Sequence, residues 1–221
     1  MTIALIPVKR LEESKSRLLP ELADAARQAL TLAMLEDLIE ALLAAGCIDR
    51  IAVTTPDPQV ASRARAAGAE VLLRPEPGLN AALTDAAERL GPAPGEALLV
   101  VLGDVAGALP ADFRRLVALA GSAASGVWLS PSSDGGTSAL LLRPAGAIPF
   151  RFGPESHARH REAAALAGVA YHEVALPSLA IDLDQPEDLA AFLATTGGGA
   201  RTRALLEPLR SAKSLERRST P

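Results

Sequence analysis

The sequence predicts an α/β fold, a mostly parallel sheet with helices on both faces, and three observations carry that prediction. Leu98-Leu-Val-Val-Leu102 is an unbroken apolar run, too short for a free-standing helix and suited to a strand buried on both faces. Through the first hundred residues such runs alternate with stretches of helical spacing. The order β-loop-α-β-α-β-loop-α-β is what crossover connections in a parallel sheet require. Apolar residues make up 49% of the chain and aromatics only 3%, so the core must be built from Ala, Leu, Val and Ile.

Thr2 to Val8 reads as the first strand, followed by a polar loop over 9–17 that carries four basic residues. Helical spacing runs from Asp24 to Ala45, and Gly46 supplies the stop. Ile51 to Thr54 makes a second strand, ended by the Pro56-Asp57-Pro58 turn. A helix over 59–67 ends at Gly68, and Glu70 to Leu73 gives a third strand. The loop Pro75-Glu-Pro-Gly-Leu-Asn80 precedes a helix from Ala81 to Leu90, and the anchor strand occupies 97–102. A helix over Leu109–Ala120 follows, then strands at Val127–Ser130 and Thr137–Leu142 joined by the Ser132–Gly136 turn as a hairpin or as sheet neighbours. Phe152-Gly-Pro-Glu-Ser156 opens a helix to Ala167. Strands are expected at Ala170–Val174 and Ala180–Asp184, with a last helix over Pro186–Ala194. Residues 1–195 then form one domain, and 196–221 read as a Gly-rich linker and basic tail with a helical turn or two at Arg203–Leu209.

The charge balance, 22 basic against 26 acidic side chains, argues against a nucleic-acid partner held on a basic surface. No apolar run is long enough to span a membrane, and no signal-peptide pattern is present, so a soluble cytoplasmic protein is expected. Cys47 is the single cysteine and reads as a small buried hydrophobe. Neither a phosphate-binding GxxxxGK[ST] nor a dinucleotide GxGxxG motif occurs, which argues against kinases, ATPases and dehydrogenases.

Gly103 ends the anchor strand, and Asp104 follows at its carboxyl end, the edge where open α/β sheets bind ligands. In the expected last strand, Asp182 and Asp184 share a face while Ile181 and Leu183 share the other. Two facing carboxylates repel unless neutralised, and Mg2+ neutralises them while also taking phosphate oxygens. Helix capping with Glu187 would alone account for Asp184, but it leaves Asp182 without a role. If the two strands are neighbours, Asp104, Asp182 and Asp184 converge and present metal to a polyphosphate. Lys9, Lys15 and Arg17 in the first loop supply matching cations for donor phosphates, unless they are simply solvated. Ser156 at a helix start, with Gly153 before it, suits an anion or an ordinary cap. Thr137, after two glycines, can donate a hydroxyl to a ligand, and Asn80 either contacts the base or ribose or only caps a helix. His157, His160 and His172 read as surface or packing residues.

Six segments together resemble the guanylyltransferases of coenzyme F420 biosynthesis, the 2-phospho-L-lactate and phosphoenolpyruvate guanylyltransferase family. They are IPVKRLEESKSRL at 6–18, GLNAAL at 78–83, GDVAGALPADF at 103–113, DGGTSALLLRP at 134–144, PFRFGPESHARH at 149–160 and IDLDQPEDL at 181–189. The resemblance implies a Rossmann-like nucleotide-diphospho-sugar transferase fold of the molybdopterin-guanylyltransferase type, with GTP as donor and Mg2+ as cofactor. It implies that Asp104, Asp182 and Asp184 hold the metal and carry catalysis. Thr137, Gly153 and Ser156 would hold a phosphorylated acid acceptor, while Lys9, Lys15 and Arg17 lie along the donor phosphates. The implied acceptors are phosphoenolpyruvate, which is favoured, 2-phospho-L-lactate and 3-phospho-D-glycerate. A related enzyme acting on a sugar phosphate or pterin, and a catalytically silent nucleotide-binding module, are the competing readings. Ala106-Gly107 stands where the family has a proline and a bulky apolar residue, which predicts a looser loop beside Asp104. Arg151 and Glu155 also depart from the small residues expected there.

Overall fold

The computed structural model describes residues 1–15, 18, 22–75, 78–121 and 123–208. Among them, β1 (Thr2–Pro7), β2 (Arg50–Thr55), β3 (Glu70–Leu73), β4 (Ala97–Val101), β5 (Gly126–Pro131), β6 (Thr137–Arg143) and β7 (Tyr171–Glu173) form one sheet in the order β3-β2-β1-β4-β6-β5-β7. Pairing is parallel from β3 through β4 and between β5 and β7, whereas β6 runs antiparallel to both its neighbours. The expected hairpin is therefore real, and its position matters. Because β6 enters beside β4 in the opposite direction, the start of β6 lies at the same edge as the end of β4, where Leu102 N–H donates to the Ser138 carbonyl at 3.1 Å.

Among the described residues, helices cover the faces: α1 (Asp24–Ala45), α2 (Pro58–Ala66), α3 (Leu79–Leu90), α4 (Pro110–Ala120), α5 (Ser156–Ala167) and α6 (Pro186–Ala194). The apolar strands divide their residues by strict alternation. Ala4, Ile6, Leu99, Val101 and Leu141 meet Leu35, Leu38 and Leu42 of α1 and Phe113 and Leu116 of α4. Ile3, Leu5, Leu98, Val100, Leu140 and Leu142 meet α3 and α5 on the opposite face. Burying a Leu or Val in this way stabilises by about 1.5–3 kcal/mol per side chain, so two full layers hold the central strands from both sides. Helix starts shift by a residue or two from expectation for local reasons. Asp57 caps α2, accepting from Gln59 N–H at 2.8 Å, so Pro58 begins the helix.

Two expectations are corrected. Ala180–Asp184 is not a strand: Asp182 makes one isolated antiparallel bridge to Val105, and Asp184 N–H turns back onto the Asp182 carbonyl at 3.0 Å. The reason is that β4 is already flanked by β1 and β6, which leaves no open ladder beside it. The segment instead meets the loop that continues beyond the end of β4. In the described part of 196–221 the linker reading also changes: residues 200–208 are helical and dock on α1, which extends the helical turn or two expected at Arg203–Leu209, while 209–221 lie outside the described residues. Asp37 of α1 caps them, accepting from Thr202 N–H at 2.9 Å and from the Thr202 hydroxyl at 2.8 Å. Leu206 joins a third cluster with Leu30, Met34, Ala106, Leu183 and Phe192.

The glycine run closes this cluster. A Cβ at Gly198 or Gly199 would collide with the carbonyl oxygens of Gly107 and Ala106, so only glycine permits the approach. The small Ala106-Gly107 pair is therefore packed rather than loose, and Ala106 is buried.

Candidate active site

Sequence separates Asp104 from Asp182 and Asp184, and the third cluster brings them together. Leu183 is fully buried in it and Ile181 packs against it. The flanking aspartates face the other way, so the expected two-faced alternation survives without a strand. Leu183 N–H reaches the Asp104 carbonyl at 3.4 Å, and Ser133 N–H reaches the Ala180 carbonyl at 3.0 Å. Residues 180–184 thus lie between the loop after β4 and the turn before β6.

Lys15 enters the same group. Its Nζ stands 3.0 Å from Asp184 Oδ1 and 3.5 Å from Asp104 Oδ2, with the side chain only 6% exposed. The loop is built to hold it. Buried Arg27 of α1 donates to the Ser14 carbonyl at 2.6 Å, and Lys15 adopts a left-handed backbone at φ 55°, a conformation costly for a side-chain-bearing residue. Burial works against the charge on Lys15, but the carboxylates of Asp104 and Asp184 outweigh it and raise its pKa above the usual lysine value. The neighbouring Asp182 is driven toward its neutral form. Burial, then the negative charge of Asp104, push its carboxyl up to about 8 against the opposing pull of Lys15.

Asp184 is not the cap of α6. The helix begins after Gln185, and Asp188 accepts from both Gln185 N–H at 2.7 Å and Asp184 N–H at 3.0 Å. The Asp184 carboxylate instead meets Lys15. Asp134, which sequence reasoning passed over, is a fourth acid near Asp182 and Asp184. The Ser132 hydroxyl, then the Gly136 N–H, hold its carboxyl below the ordinary range. Its place in the tight turn before Thr137 was the available signal.

A hard divalent cation fits this donor set. Asp104 Oδ1 and Asp182 Oδ1 are buried without a hydrogen-bond partner among the described residues, an arrangement costly unless something else meets those oxygens. Among the described residues no three His, Cys, Asp or Glu side chains close into a ready-made cage. A small cation completed by one or two carboxylates and substrate phosphates needs none.

Beside this cluster, at the ends of β1, β2 and β4, opens a cleft of about 260 Å³ lined in part by Val8, Lys9, Thr54, Pro75, Gly78 and Lys15. Lys9 thus lines the cleft, Lys15 joins the acids, and Arg17 lies outside the described residues. Asn80, read as a base or ribose contact or only a helix cap, is engaged with backbone elsewhere. Its amide donates to the Phe152 carbonyl at 3.0 Å and accepts from Phe152 N–H at 2.8 Å, fastening the 150–155 loop to α3.

On the other side of β4 the expected acceptor residues meet. The Ser156 hydroxyl donates to Thr137 Oγ1 at 2.9 Å, and both side chains are almost fully buried. Gly153, at φ 115°, supplies the turn before α5 that a side chain would strain. His160, expected as a surface or packing residue, is packed and hydrogen-bonded. It is wholly buried one helical turn after Ser156, within 3.3 Å of Thr137 Oγ1, and its Nε2 accepts from Arg151 N–H at 3.0 Å. Its i, i+4 spacing from Ser156 was the signal.

Burial drives the His160 pKa down to about 4 against a hydrogen bond to the Ser156 carbonyl. The folded protein therefore refuses a proton that the unfolded chain accepts below about 6.5. Stability is complete above that pH and falls as pH drops toward 4, by about 3 kcal/mol in all. Urea midpoints measured between pH 4 and 7 should show this loss as the difference between parent and His160→Asn, the parent falling relative to the variant as pH drops.

A family model described as "Guanylyl transferase CofC like" matches residues 2–220. Curated relatives include the phosphoenolpyruvate guanylyltransferase of Rubrobacter xylanophilus, 42% identical over 200 residues, which cover 90% of this chain and 97% of that protein. The 3-phospho-D-glycerate guanylyltransferase of Phenylobacterium zucineum is 38% identical over 220 residues, covering 96% of this chain and 98% of that one. Among solved structures, a chain from Desulfovibrio desulfuricans G20 described as a nucleotide-diphospho-sugar transferase superposes with a TM-score of 0.76 at 15% identity, covering 98% of this chain and 97% of its own. The fold is thus of the nucleotide-diphospho-sugar transferase type.

Proposed function

The chain belongs to the CofC-like guanylyl transferase family, and from that premise we propose that it transfers GMP from GTP to a small phosphorylated carboxylic acid. Phosphoenolpyruvate is the favoured acceptor, pyrophosphate is the leaving product, and the reaction serves coenzyme F420 biosynthesis in the cytoplasm. One observation carries the chemistry: Asp104, Asp182, Asp184 and Lys15 converge at the sheet edge between a nucleotide-sized cleft and the Thr137–Ser156 pair. The names of the relatives from Rubrobacter xylanophilus and Phenylobacterium zucineum support an acid acceptor and leave its carbon skeleton to experiment.

In the reaction, an oxygen of the acceptor's phosphate attacks the α-phosphorus of GTP while the bond to the bridging α,β-oxygen breaks. The attacking oxygen is already anionic, so no protein nucleophile or base is required. Lys15 brings a buried positive charge to the reacting phosphates, and Lys9 lines their approach. Asp104, Asp182 and Asp184 would hold Mg2+, which supplies charge neutralisation for the attacking and leaving oxygens. Thr137, Gly153 and Ser156 orient the acid, and the tied loop at Phe152 keeps them in place.

The test is pyrophosphate release with GTP, Mg2+ and the three acids in competition, the products being resolved by mass. The product from phosphoenolpyruvate should dominate. Turnover with a sugar phosphate alone, or tight GTP binding with no turnover on any acid, would overturn the reading.

A further inference from the structure

We propose that His160 is a positioning residue that sets the hydrogen-bond polarity of the acceptor site, so that the Thr137–Ser156 pair offers an outward O–H donor to an anionic oxygen. This rests on the reading of that pair as acceptor contacts. The argument is an accounting of protons. Arg151 N–H can only donate, and it reaches His160 Nε2 at 3.0 Å, so Nε2 carries no proton. A neutral imidazole then carries its proton on Nδ1, the nitrogen that faces Thr137 Oγ1 at 3.3 Å. Neither hydroxyl can donate to a nitrogen that is itself protonated.

Thr137 and Ser156 together hold two hydroxyl protons. One bridges the pair at 2.9 Å, and no described residue accepts the other. Whichever hydroxyl donates to its neighbour, one O–H is left over. Such a pair suits a phosphate or carboxylate oxygen, which only accepts, and disfavours a neutral ligand that needs an acceptor there. The opposite tautomer would let a hydroxyl donate into the ring and consume that proton. Two features keep the tautomer in place. Phe152 packs its ring edge-on to His160 at 4.9 Å, and Asn80 pins the Phe152 backbone from both sides, so the Arg151 amide cannot easily swing away. The burial that holds the ring neutral at pH 7 is consistent with this.

Ring-15N NMR of the full chain reads the tautomer directly. The expected result is a protonated Nδ1 and an unprotonated Nε2 for His160, unchanged from pH 5.5 to 8; a proton on Nε2 would overturn the proposal even if no variant folds. Kinetics with phosphoenolpyruvate as the probe supply the second reading. His160→Gln keeps an acceptor for Arg151 but no donor where Nδ1 stands, and should raise KM for the acid about tenfold with KM for GTP within about twofold. His160→Asn restores an N–H at that place and should recover most of the loss. Equal changes in both variants, or in both substrates, would overturn the proposal. Thr137→Val is the control: if it leaves the acid's KM unchanged, the acceptor reading itself fails, whereas a raised KM with an inert His160→Gln leaves that reading standing and removes His160.

Discussion

Asp182→Asn is expected to lower kcat by about 10²–10³-fold or more at saturating Mg2+, while the protein is at least as stable at pH 7 as the parent. The two halves have the same cause. In the resting structure, burial and the charge of Asp104 push the Asp182 carboxyl up to about 8, so near neutrality this side chain already carries a proton much of the time. An amide of the same shape replaces that form with little change in packing or charge. What it cannot replace is the anion that a cation would draw out of it during turnover. The linkage sign sharpens the prediction. A carboxyl whose folded pKa is raised holds a proton that the unfolded chain has lost, so this group's contribution to stability falls as pH rises from about 4 toward 8. The variant should therefore gain on the parent through that interval. Urea unfolding from pH 5 to 8.5 alongside pyrophosphate release checks both halves. Full activity in the variant would remove Asp182 from the site.

Lys15→Met produces the complementary pattern. Lys15 is the buried cation that Asp104 and Asp184 face, and deleting one partner of such a group leaves the others uncompensated. The cost belongs toward the lower end of the about 3–5 kcal/mol typical of broken buried pairs, because both carboxylates are partly exposed, 30% for Asp104 and 44% for Asp184. Turnover should fall by about 10²-fold or more through loss of charge at the reacting phosphates. Stability, unlike turnover, should be recoverable with Mg2+, since a ligand present at a hundred times its Kd returns about 2.7 kcal/mol. The variant's melting temperature should therefore rise more steeply with Mg2+ than the parent's, in which Lys15 already neutralises the acids. A kcat within about twofold of the parent, or a melting temperature indifferent to Mg2+, would show that this lysine is only a structural counter-ion.

The extent to which the site was legible depended on how local each signal was. Asp104 could be found because an apolar run ending in Gly-Asp announces the carboxyl edge of a strand. Asp182 and Asp184 could be found as a pair because residues two apart share a face in any extended segment, and Ile181 and Leu183 do turn inward together. The secondary structure of that segment was misjudged, since nothing in five residues reveals that β4 has no open side. For His160 the chain left surface and packing both open, and only the fold shows Thr137, Phe152 and Arg151 closing around it. The tie from Asn80 to the Phe152 backbone was out of reach for the same reason: its partner is 72 residues away.

The residue pattern by itself determined most of the strands and helices, 180–184 excepted, and that a mostly parallel sheet would form with Asp104 at the carboxyl end of β4. Propensity and periodicity act over a few residues, and they are written directly in the chain. Only the tertiary structure decided that Lys15, Asp104, Asp182 and Asp184 share one cluster, that Asp188 rather than Asp184 caps α6, and that the glycines after Thr195 seal the loop beside Asp104. Those outcomes follow from which edges, faces and gaps remain open once the sheet has formed. That is a property of the packed whole and of no single segment.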